Sequence, residues 1–263
     1  IYIPLIIVVA VLAAIKMDNL TQVSNAKGAM REVATHKESW VLAVLYIGTF
    51  GSFIGFSFAF GQVLLVQFPK EFPNPATAAA LTFMGPLLGS LIRPIGGKLA
   101  DRYTGSLVTF WNFLAMAVGT LVVLGAALLH SLPLFVAGFI LLFVFSGLGN
   151  GSTYKMIPSI FEAKAQGRDD LSRDEKAAWS RAMSGALIGF AGAVGALGGV
   201  FINVVLRASY VSDAKSATNA FWVFLAFYVA CAFVTWFVFL RLQEHRAHSG
   251  EHIGRLPTPV PAG

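Results

Sequence analysis

The chain has 263 residues, of which 56% are hydrophobic and 12% are charged, and its mean hydropathy is +0.71. Because about a quarter of the residues of a soluble globular protein are charged, this composition excludes a single soluble domain. The formal net charge is +6, but the basic residues lie in short segments between apolar runs, so no nucleic-acid partner is expected. The one cysteine, Cys231, also lies in an apolar run, which leaves no disulfide framework and no cysteine metal site. The composition therefore predicts a polytopic α-helical membrane protein.

The apolar runs follow one another along the chain, and about 20 such residues span a bilayer as a helix. The first run, IYIPLIIVVAVLAAIK (1–16), is too short for a full span and has no signal-peptide charge region. We interpret it as the end of a transmembrane helix that begins earlier. A polar loop, 17–39, follows it. Six spans are then predicted within 40–241, at 40–67, 76–98, 106–129, 133–161, 181–206 and 219–241. The polar tail, 242–263, is expected to be disordered.

The connections between these spans alternate between strongly and weakly basic. Of the 19 Lys and Arg residues, 14 lie in 17–39, 99–105, 162–180, the tail or the adjoining helix ends. Only Lys70, Arg207 and Lys215 lie on the opposite side, and Arg93 and Lys155 lie within spans. The positive-inside rule places the larger set in the cytoplasm. The sequence thus predicts a multi-pass protein whose C-terminus is cytoplasmic.

A partial helix, a cytoplasmic loop and six spans that end in the cytoplasm are typical of the second half of a twelve-helix transporter. Such halves contain inverted three-helix repeats, and the substrate site lies near the midplane of the bilayer. The predicted fold class is therefore all-α membrane, as the C-terminal six-helix half of a twelve-helix fold. No nucleotide-binding loop or low-complexity segment interrupts the pattern, and no cofactor is expected.

Arg93 is a charged residue inside an apolar, glycine-rich segment, GSLIRPIGGKLADRYTG. It lies eight residues before Asp101, roughly 12 Å along a helix, which places it at membrane depth. All 13 acidic residues lie in loops, in the tail or at helix ends, so this chain offers Arg93 no carboxylate at that depth. A guanidinium fork suits a planar oxyanion. We interpret Arg93 as a substrate-binding residue; the alternative is a structural arginine paired with a carboxylate or with backbone carbonyls.

Asn150 and Lys155 lie in a second polar segment, GLGNGSTYKMIPSIF, and both are candidates for an anion path. Lys155 lies near the cytoplasmic end of its span, where a lysine can extend to the interface, and we favour that interpretation over a role in the path. No Asp, Glu or His lies in the middle of a span. This argues against a carboxylate proton switch in this half, although coupling through the substrate or another half stays open. It also argues against an enzyme and against a metal site.

The predicted span at 181–206 carries a stripe of glycines, and the predicted span at 40–67 carries a row of aromatic residues. The glycines recur every three or four residues, which lets helices approach closely in a membrane: Gly185, Gly189, Gly192, Gly195 and Gly199. The stripe fits static packing or a sliding surface beside a translocation path. In the aromatic row, Tyr46, Phe50 and Phe53 share one helix face, and the Tyr46 hydroxyl requires a partner at that depth.

Four segments together resemble a known family. GGKLADR, with Gly97, Asp101 and Arg102, resembles the cytoplasmic loop motif of the major facilitator superfamily. LYIGTFGSFIGFSFAF, GPLLGSLIRPIGGKLADR, SGLGNGSTYKMIP and GFAGAVGALGGVFIN resemble helices seven, eight, ten and eleven of the NarK-type nitrate/nitrite porters, over about residues 38–241. The resemblance implies that 1–16 is the end of helix six and that 17–39 is the central cytoplasmic loop.

The resemblance also implies roles for individual residues. The family's helix-eight substrate arginine falls on Arg93, and its helix-seven tyrosine and phenylalanine, which line the anion site, fall on Tyr46 and Phe50. The second glycine-rich nitrate signature, which we interpret as a conformational motif, falls on Gly192, Gly195, Gly198, Gly199 and Asn203. The family's second arginine, on helix two, and its first signature, on helix five, have no match in this chain. They would belong to an N-terminal six-helix half.

The implied function is secondary active transport of nitrate and nitrite across the inner (plasma) membrane, as in nitrate assimilation. The anion would be held between Arg93 and an arginine of the N-terminal half, and transport would proceed by alternating access, as antiport or proton symport. The expected partners are nitrate, nitrite, that N-terminal half and the lipid bilayer. The alternatives are a facilitator for another small anion and a non-transporting membrane subunit, and the uncompensated Arg93 argues against the latter.

Overall fold

The structure is a computed structural model that describes residues 2–17, 28–212 and 216–241. Residues 18–27 of the predicted loop and the whole predicted tail, 242–263, lie outside the described residues. Within the described ranges the chain is helical, with two π-helical segments and no strand. The α-helices are α1 (Tyr2–Lys16), α2 (Ala29–Val33), α3 (Lys37–Tyr46), α4 (Ser52–Gln67), α5 (Pro75–Thr82), α6 (Met84–Tyr103), α7 (Gly105–Leu128), α8 (Leu132–Gln166), α9 (Arg173–Val211) and α10 (Thr218–Thr235). The π-helical segments are Ile47–Gly51 and Trp236–Arg241.

Six helical stretches in the described residues are long and apolar enough to cross a membrane. We call them the first to sixth spans: Lys37–Gln67, Pro75–Tyr103, Gly105–Leu128, Leu132–Gln166, Arg173–Val211 and Thr218–Arg241. The predicted all-α membrane fold with six spans is confirmed. The helix α1 is apolar but has only 15 residues, and its side chains are largely exposed in the described structure.

The fourth and fifth spans are longer than predicted. The fourth continues to Gln166 rather than ending at 161, and the fifth runs over Arg173–Val211 rather than 181–206. A hydropathy pattern misses these ends because the added turns are polar. The fifth span begins at a capping box, in which the Ser172 hydroxyl accepts from the Glu175 backbone N–H and the Glu175 carboxylate accepts from the Ser172 backbone N–H. The predicted connection 162–180 is therefore helical except for a short turn.

Two other predicted loops contain helix. The predicted loop 17–39 includes α2 and the start of α3. The segment GGKLADR, expected to form a cytoplasmic loop, forms the last two turns of α6, and only Thr104 separates α6 from α7. Thr104 has a φ of 79° and a ψ of 142°, which lie outside the right-handed helical region, and α6 ends there. The loop interpretation of GGKLADR was therefore wrong in its secondary structure.

Phenylalanine rings fill the interior between the first, fourth and sixth spans. The rings of Phe60 and Phe139 stack with centroids 4.7 Å apart, and Phe56 meets Phe224 edge-on at 5.7 Å. Phe221 packs edge-on against Phe139 at 5.8 Å. All five rings are nearly or fully buried. Because lipid is as apolar as a protein core, this interlocking of rings, rather than exclusion from water, supplies the packing energy.

Glycines let the backbones of the second and fourth spans touch. A methyl group added at Gly147 would overlap the carbonyl oxygen of Gly89, and one at Gly96 would overlap the carbonyl of Leu148. A methyl group at Gly151 would overlap the carbonyl oxygen of Arg93. This backbone contact fixes the height of Arg93 relative to the residues around Gly151.

A second glycine contact joins the first and fifth spans. A methyl group at Gly51 would lie 2.7 Å from the Gly198 Cα, and one at Gly198 would lie 2.8 Å from the Gly51 Cα. At Gly185 and Gly192, by contrast, an added methyl group would meet nothing within 4 Å. The predicted glycine stripe therefore does not form a single packed surface in the described structure.

We predict that Gly51→Ala and Gly198→Ala each destabilise the protein by about 1–3 kcal/mol, because an added methyl group forces the two backbones apart. Thermal unfolding in detergent measures this effect. The matched control is Gly192→Ala, which should leave the melting temperature unchanged or slightly raise it, since alanine favours helix. Equal effects at all three positions would contradict the packing described for the first and fifth spans.

Candidate functional site

Arg93 lies in α6 with its side chain half-buried. Its guanidinium carbon lies 4.3 Å from the centroid of the Phe53 ring and 5.8 Å from that of Phe50, both on the first span. A guanidinium over an aromatic face is attracted by the ring quadrupole. Among the described residues, no carboxylate oxygen lies within 4.0 Å of the Arg93 nitrogens. Aromatic faces and a neutral amide therefore surround this charge.

The neutral amide belongs to Asn150, in the middle of α8, whose side chain is 4% exposed. Arginine has only donors, so the atom of the amide that faces Arg93 must be the oxygen. In this orientation the oxygen accepts from Arg93 Nε at 3.1 Å and from Nη2 at 3.2 Å. The amide nitrogen lies 2.7 Å from Tyr46 Oη and donates to it. Asn150 thus joins Arg93 on the second span to Tyr46 on the first.

Tyr46 and Phe50 form an aromatic wall beside Arg93. Their rings stack, with centroids 5.0 Å apart and planes 23° apart. Tyr46 ends α3, and Phe50 lies in the π-helical segment Ile47–Gly51 that follows it. Single π-helical turns inside longer helices are often found at functional sites. The structure therefore brings together all three residues predicted to bind substrate, together with Asn150.

The fifth span supports this wall from behind. A methyl group at Gly195 would lie 2.7 Å from Tyr46 Cδ1 and 3.3 Å from Phe50 Cδ1, so only glycine leaves room for the two rings. Gly198 and Gly199 pack against the first span farther along α9. Gly192 has no such contact in the described structure. The residues of the predicted conformational motif are thus divided between a packed part and an open part.

Asn203, the last residue of that motif, lies away from Arg93. Its amide nitrogen donates to the Gly199 carbonyl at 2.8 Å, one turn earlier in α9. It also lines a groove of about 530 Å³ between the first and fifth spans, together with Ile54, Phe58, Gly199, Val200 and Arg207. The groove is mostly apolar and does not include the predicted substrate-binding residues.

Lys155 and the GGKLADR segment meet at the end of the bundle that is predicted to be cytoplasmic. Lys155 Nζ lies 3.0 Å from Asp101 Oδ1, with 49% and 58% of the two side chains exposed. Gly97 lies one turn before Asp101 on α6. The Arg102 guanidinium stacks instead on Tyr103, 5.1 Å from the ring centroid. Lys155 therefore pairs with a carboxylate near the surface and does not contact Arg93.

A second polar network joins the start of the first span to the end of the fourth. Lys164 Nζ donates to Glu38 Oε2 at 2.8 Å and contacts His36 Nδ1 at 3.1 Å.

A further ion pair lies in the turn after α8, where Arg168 donates to Asp170 through Nη2 at 2.7 Å. This hydrogen bond lowers the pKa of the Asp170 carboxyl. Both networks lie far along the helices from Asn150 and do not form part of the Arg93 site.

Two features of the site were not assigned from the sequence. Phe53 was recognised as sharing a helix face with Tyr46 and Phe50, but its position over the Arg93 guanidinium was not. The spacing from Phe50 to Phe53 is the available signal. The bridge from Asn150 to Arg93 and Tyr46 depends on how three helices meet, and no local pattern in the sequence reveals it.

The fold and the site together define a class. This is a polytopic α-helical membrane protein with six spans, in which a half-buried, permanent cation of the second span contacts an amide oxygen of the fourth span and aromatic rings of the first. Such a site is suited to binding an anion at membrane depth.

Comparison with known proteins shows that the chain is similar to several named transporters. The chain is 34% identical over 255 residues to the nitrate/nitrite transporter NarU of Escherichia coli (strain K12), covering 92% of this chain and 52% of that protein. It is 35% identical to NarU of Salmonella typhimurium with the same coverage. It is 30% identical over 244 residues to the "Probable nitrate/nitrite antiporter NarK2" of Thermus thermophilus, covering 91% of this chain and 50% of that protein. No protein-family model matches the chain.

The resemblance to the NarK-type nitrate/nitrite porters is thereby confirmed, and the chain is related to that family over nearly all of its length. It spans about half the length of these relatives, which is consistent with the predicted C-terminal half. The relatives are named as transporters, and none of these names describes an enzyme.

We predict that the coupling energy between Lys155 and Asp101 is below about 1 kcal/mol, because both groups are largely exposed to solvent. A double-mutant cycle with Lys155→Ala and Asp101→Ala, followed by thermal unfolding in detergent, measures it. The comparison pair is Lys164–Glu38, whose side chains are 29% and 39% exposed. Its coupling should be larger and should fall less when the salt concentration rises. A stronger coupling for Lys155–Asp101 would contradict this ranking.

Proposed function

We propose that the chain is the anion-binding C-terminal half of a secondary transporter for nitrate and nitrite. The observation that carries the proposal is the Arg93 guanidinium, which lies within the second span and has no carboxylate within 4.0 Å among the described residues. Its aromatic and amide neighbours leave it a net positive charge. An anion that enters the site would supply the missing countercharge.

The shape of the site supports a small planar anion. The stacked rings of Tyr46 and Phe50 present a flat wall beside the guanidinium, and the ring of Phe53 covers the guanidinium itself. A planar oxyanion can lie against such a wall while its oxygens accept hydrogen bonds from the guanidinium edge. The names of the relatives, nitrate/nitrite transporters, agree with this chemistry.

In the proposed mechanism, Arg93 faces an arginine of an N-terminal six-helix half. Two unpaired guanidinium groups would repel each other, so the halves would close over the site only when an anion lies between them. Transport would follow by alternating access as the halves rock about the bound anion. We also propose, from the distribution of Lys and Arg, that the protein lies in the inner membrane with its C-terminus in the cytoplasm.

We predict that Arg93→Ala and Arg93→Lys in the complete transporter each lower nitrate affinity at least about tenfold and abolish uptake. Lysine keeps the charge but cannot present the guanidinium fork or make both hydrogen bonds to Asn150. Uptake into proteoliposomes and binding in detergent are the measurements, and gel filtration checks that the variants fold. The control is Arg181→Ala, at an exposed position near the start of α9. Near-normal uptake by Arg93→Ala would overturn the proposed anion site.

We further predict that Gly199→Ala leaves nitrate binding within about twofold of the original protein but slows turnover. An added methyl group would lie 2.7 Å from Ile54 Cγ2 and would disturb the close packing of the first and fifth spans. Gly199 is a better test than Gly195, where the added group would strike Tyr46 within the site. Gly185→Ala, which has open space around it, serves as the matched control. Unchanged turnover in Gly199→Ala would leave the stripe with a packing role only.

A further inference from the structure

We infer that Asn150 is a positioning residue that makes the anion site a surface of hydrogen-bond donors. The site thereby selects anions that carry no O–H donor. This inference rests on the proposed function of Arg93. It depends on the direction of three hydrogen bonds around a single buried amide. From the sequence alone, Asn150 was a candidate for an anion path, without a partner.

The first step is the orientation of the amide. Arg93 offers only N–H groups, so the Asn150 oxygen must face it, and this oxygen accepts from both Nε and Nη2. The guanidinium is then fixed in two directions: Asn150 holds one edge, and the ring of Phe53, 4.3 Å away, covers one face. The N–H groups of Nη1 and the second N–H of Nη2 have no hydrogen-bond partner among the described residues.

The second step concerns the hydroxyl of Tyr46. With its oxygen committed to Arg93, the Asn150 amide presents its NH₂ group to Tyr46 Oη at 2.7 Å. An amide NH₂ can only donate, so the Tyr46 oxygen must accept. The hydroxyl hydrogen of Tyr46 therefore points away from Asn150 and remains free to donate to a ligand. In the described part of the chain, no other hydrogen bond engages this hydroxyl.

The third step is the consequence for the ligand. The free groups of Arg93 and Tyr46 are all donors, and Asn150 uses its one acceptor on Arg93. A nitrate, nitrite or formate ion has only acceptors and can satisfy these donors. An anion that carries an O–H group, such as hydrogencarbonate or dihydrogenphosphate, would bring a donor for which these three side chains offer no acceptor, and an unpaired buried polar group is costly.

The decisive substitution is Asn150→Asp, which is nearly isosteric but replaces the NH₂ donor with a second acceptor. The carboxylate would neutralise Arg93, and its second oxygen would accept the hydroxyl hydrogen of Tyr46. The site would lose its net charge and its tyrosine donor at the same time. The matched control is Asn74→Asp, which adds the same charge at an exposed helix N-cap where aspartate caps as well as asparagine.

The experiment measures binding of nitrate, nitrite, formate and hydrogencarbonate to the complete transporter in detergent, for the original protein, Tyr46→Phe, Asn150→Asp and the double variant. We expect Asn150→Asp to weaken nitrate binding at least tenfold, while Asn74→Asp does not. Tyr46→Phe should weaken binding several-fold in the original protein and have no effect in the Asn150→Asp background. The original protein should bind formate at least tenfold more tightly than hydrogencarbonate.

Each other outcome identifies what has failed. If Tyr46→Phe costs the same affinity in both backgrounds, or if Asn150→Asp binds nitrate normally, Asn150 does not set the direction of the tyrosine hydroxyl and the inference is overturned. If a folded Asn150→Asp variant cannot be obtained, the cycle is run with Asn150→Ser, which removes the bridge, and additive effects again overturn the inference. If the original protein binds formate but neither nitrate nor nitrite, the proposed function fails while the donor surface stands. Binding of none of these anions overturns both.

Discussion

The rest of the structure depends on how a permanent positive charge inside the second span is held when none of the described residues places a carboxylate beside it. Placing an arginine at the centre of a membrane helix costs about 3 kcal/mol on insertion scales. Hydrogen bonds to a charged group contribute about 1.5–3 kcal/mol each, and Arg93 has two of them to Asn150 and an aromatic face from Phe53. The free energy of these contacts is comparable to the insertion cost, so they stabilise the guanidinium while leaving its charge unneutralised. A carboxylate in their place would have stabilised it equally and removed its attraction for an anion.

The glycines of the second and fourth spans serve this arrangement. Because a methyl group at Gly151 would overlap the carbonyl of Arg93, the two backbones touch one residue away from Asn150. The contacts at Gly147 and Gly96 continue the same close approach along both helices. An amide side chain is short, so it can reach a guanidinium across two helices only when their backbones lie this close. The small residues and the polar bridge are therefore one structural feature.

The six spans could be predicted because each is a long apolar run, and Arg93 could be singled out because no acidic residue shares its depth. Tyr46 and Phe50 followed from the resemblance of their segment to a known helix. The polar ends of the fourth and fifth spans escaped because capping at Ser172 and the charged turns beyond the membrane leave no hydropathy signal. Asn150 was a candidate for an anion path, but its bridge to Arg93 and Tyr46 escaped, as did the contact of Phe53 with Arg93, because these contacts arise where three helices meet. The glycine stripe was read from spacing, but which glycines touch a neighbour depends on the crossing point of the helices.

Four of the six spans form two pairs with close glycine contacts, the second with the fourth and the first with the fifth, and the candidate site lies on the boundary between these pairs. Arg93 and Asn150 belong to the second and fourth spans, whereas Tyr46 and Phe50 belong to the first span, which packs on the fifth. Contacts that cross the boundary include the hydrogen bond from Asn150 to Tyr46 and the stacking of Arg93 on Phe53. A shift of one pair against the other would change these contacts, while the backbone contacts inside each pair could persist. An anion that bridges Arg93 and Tyr46 adds a link across the same boundary, so its binding energy would act directly on the relative position of the two pairs.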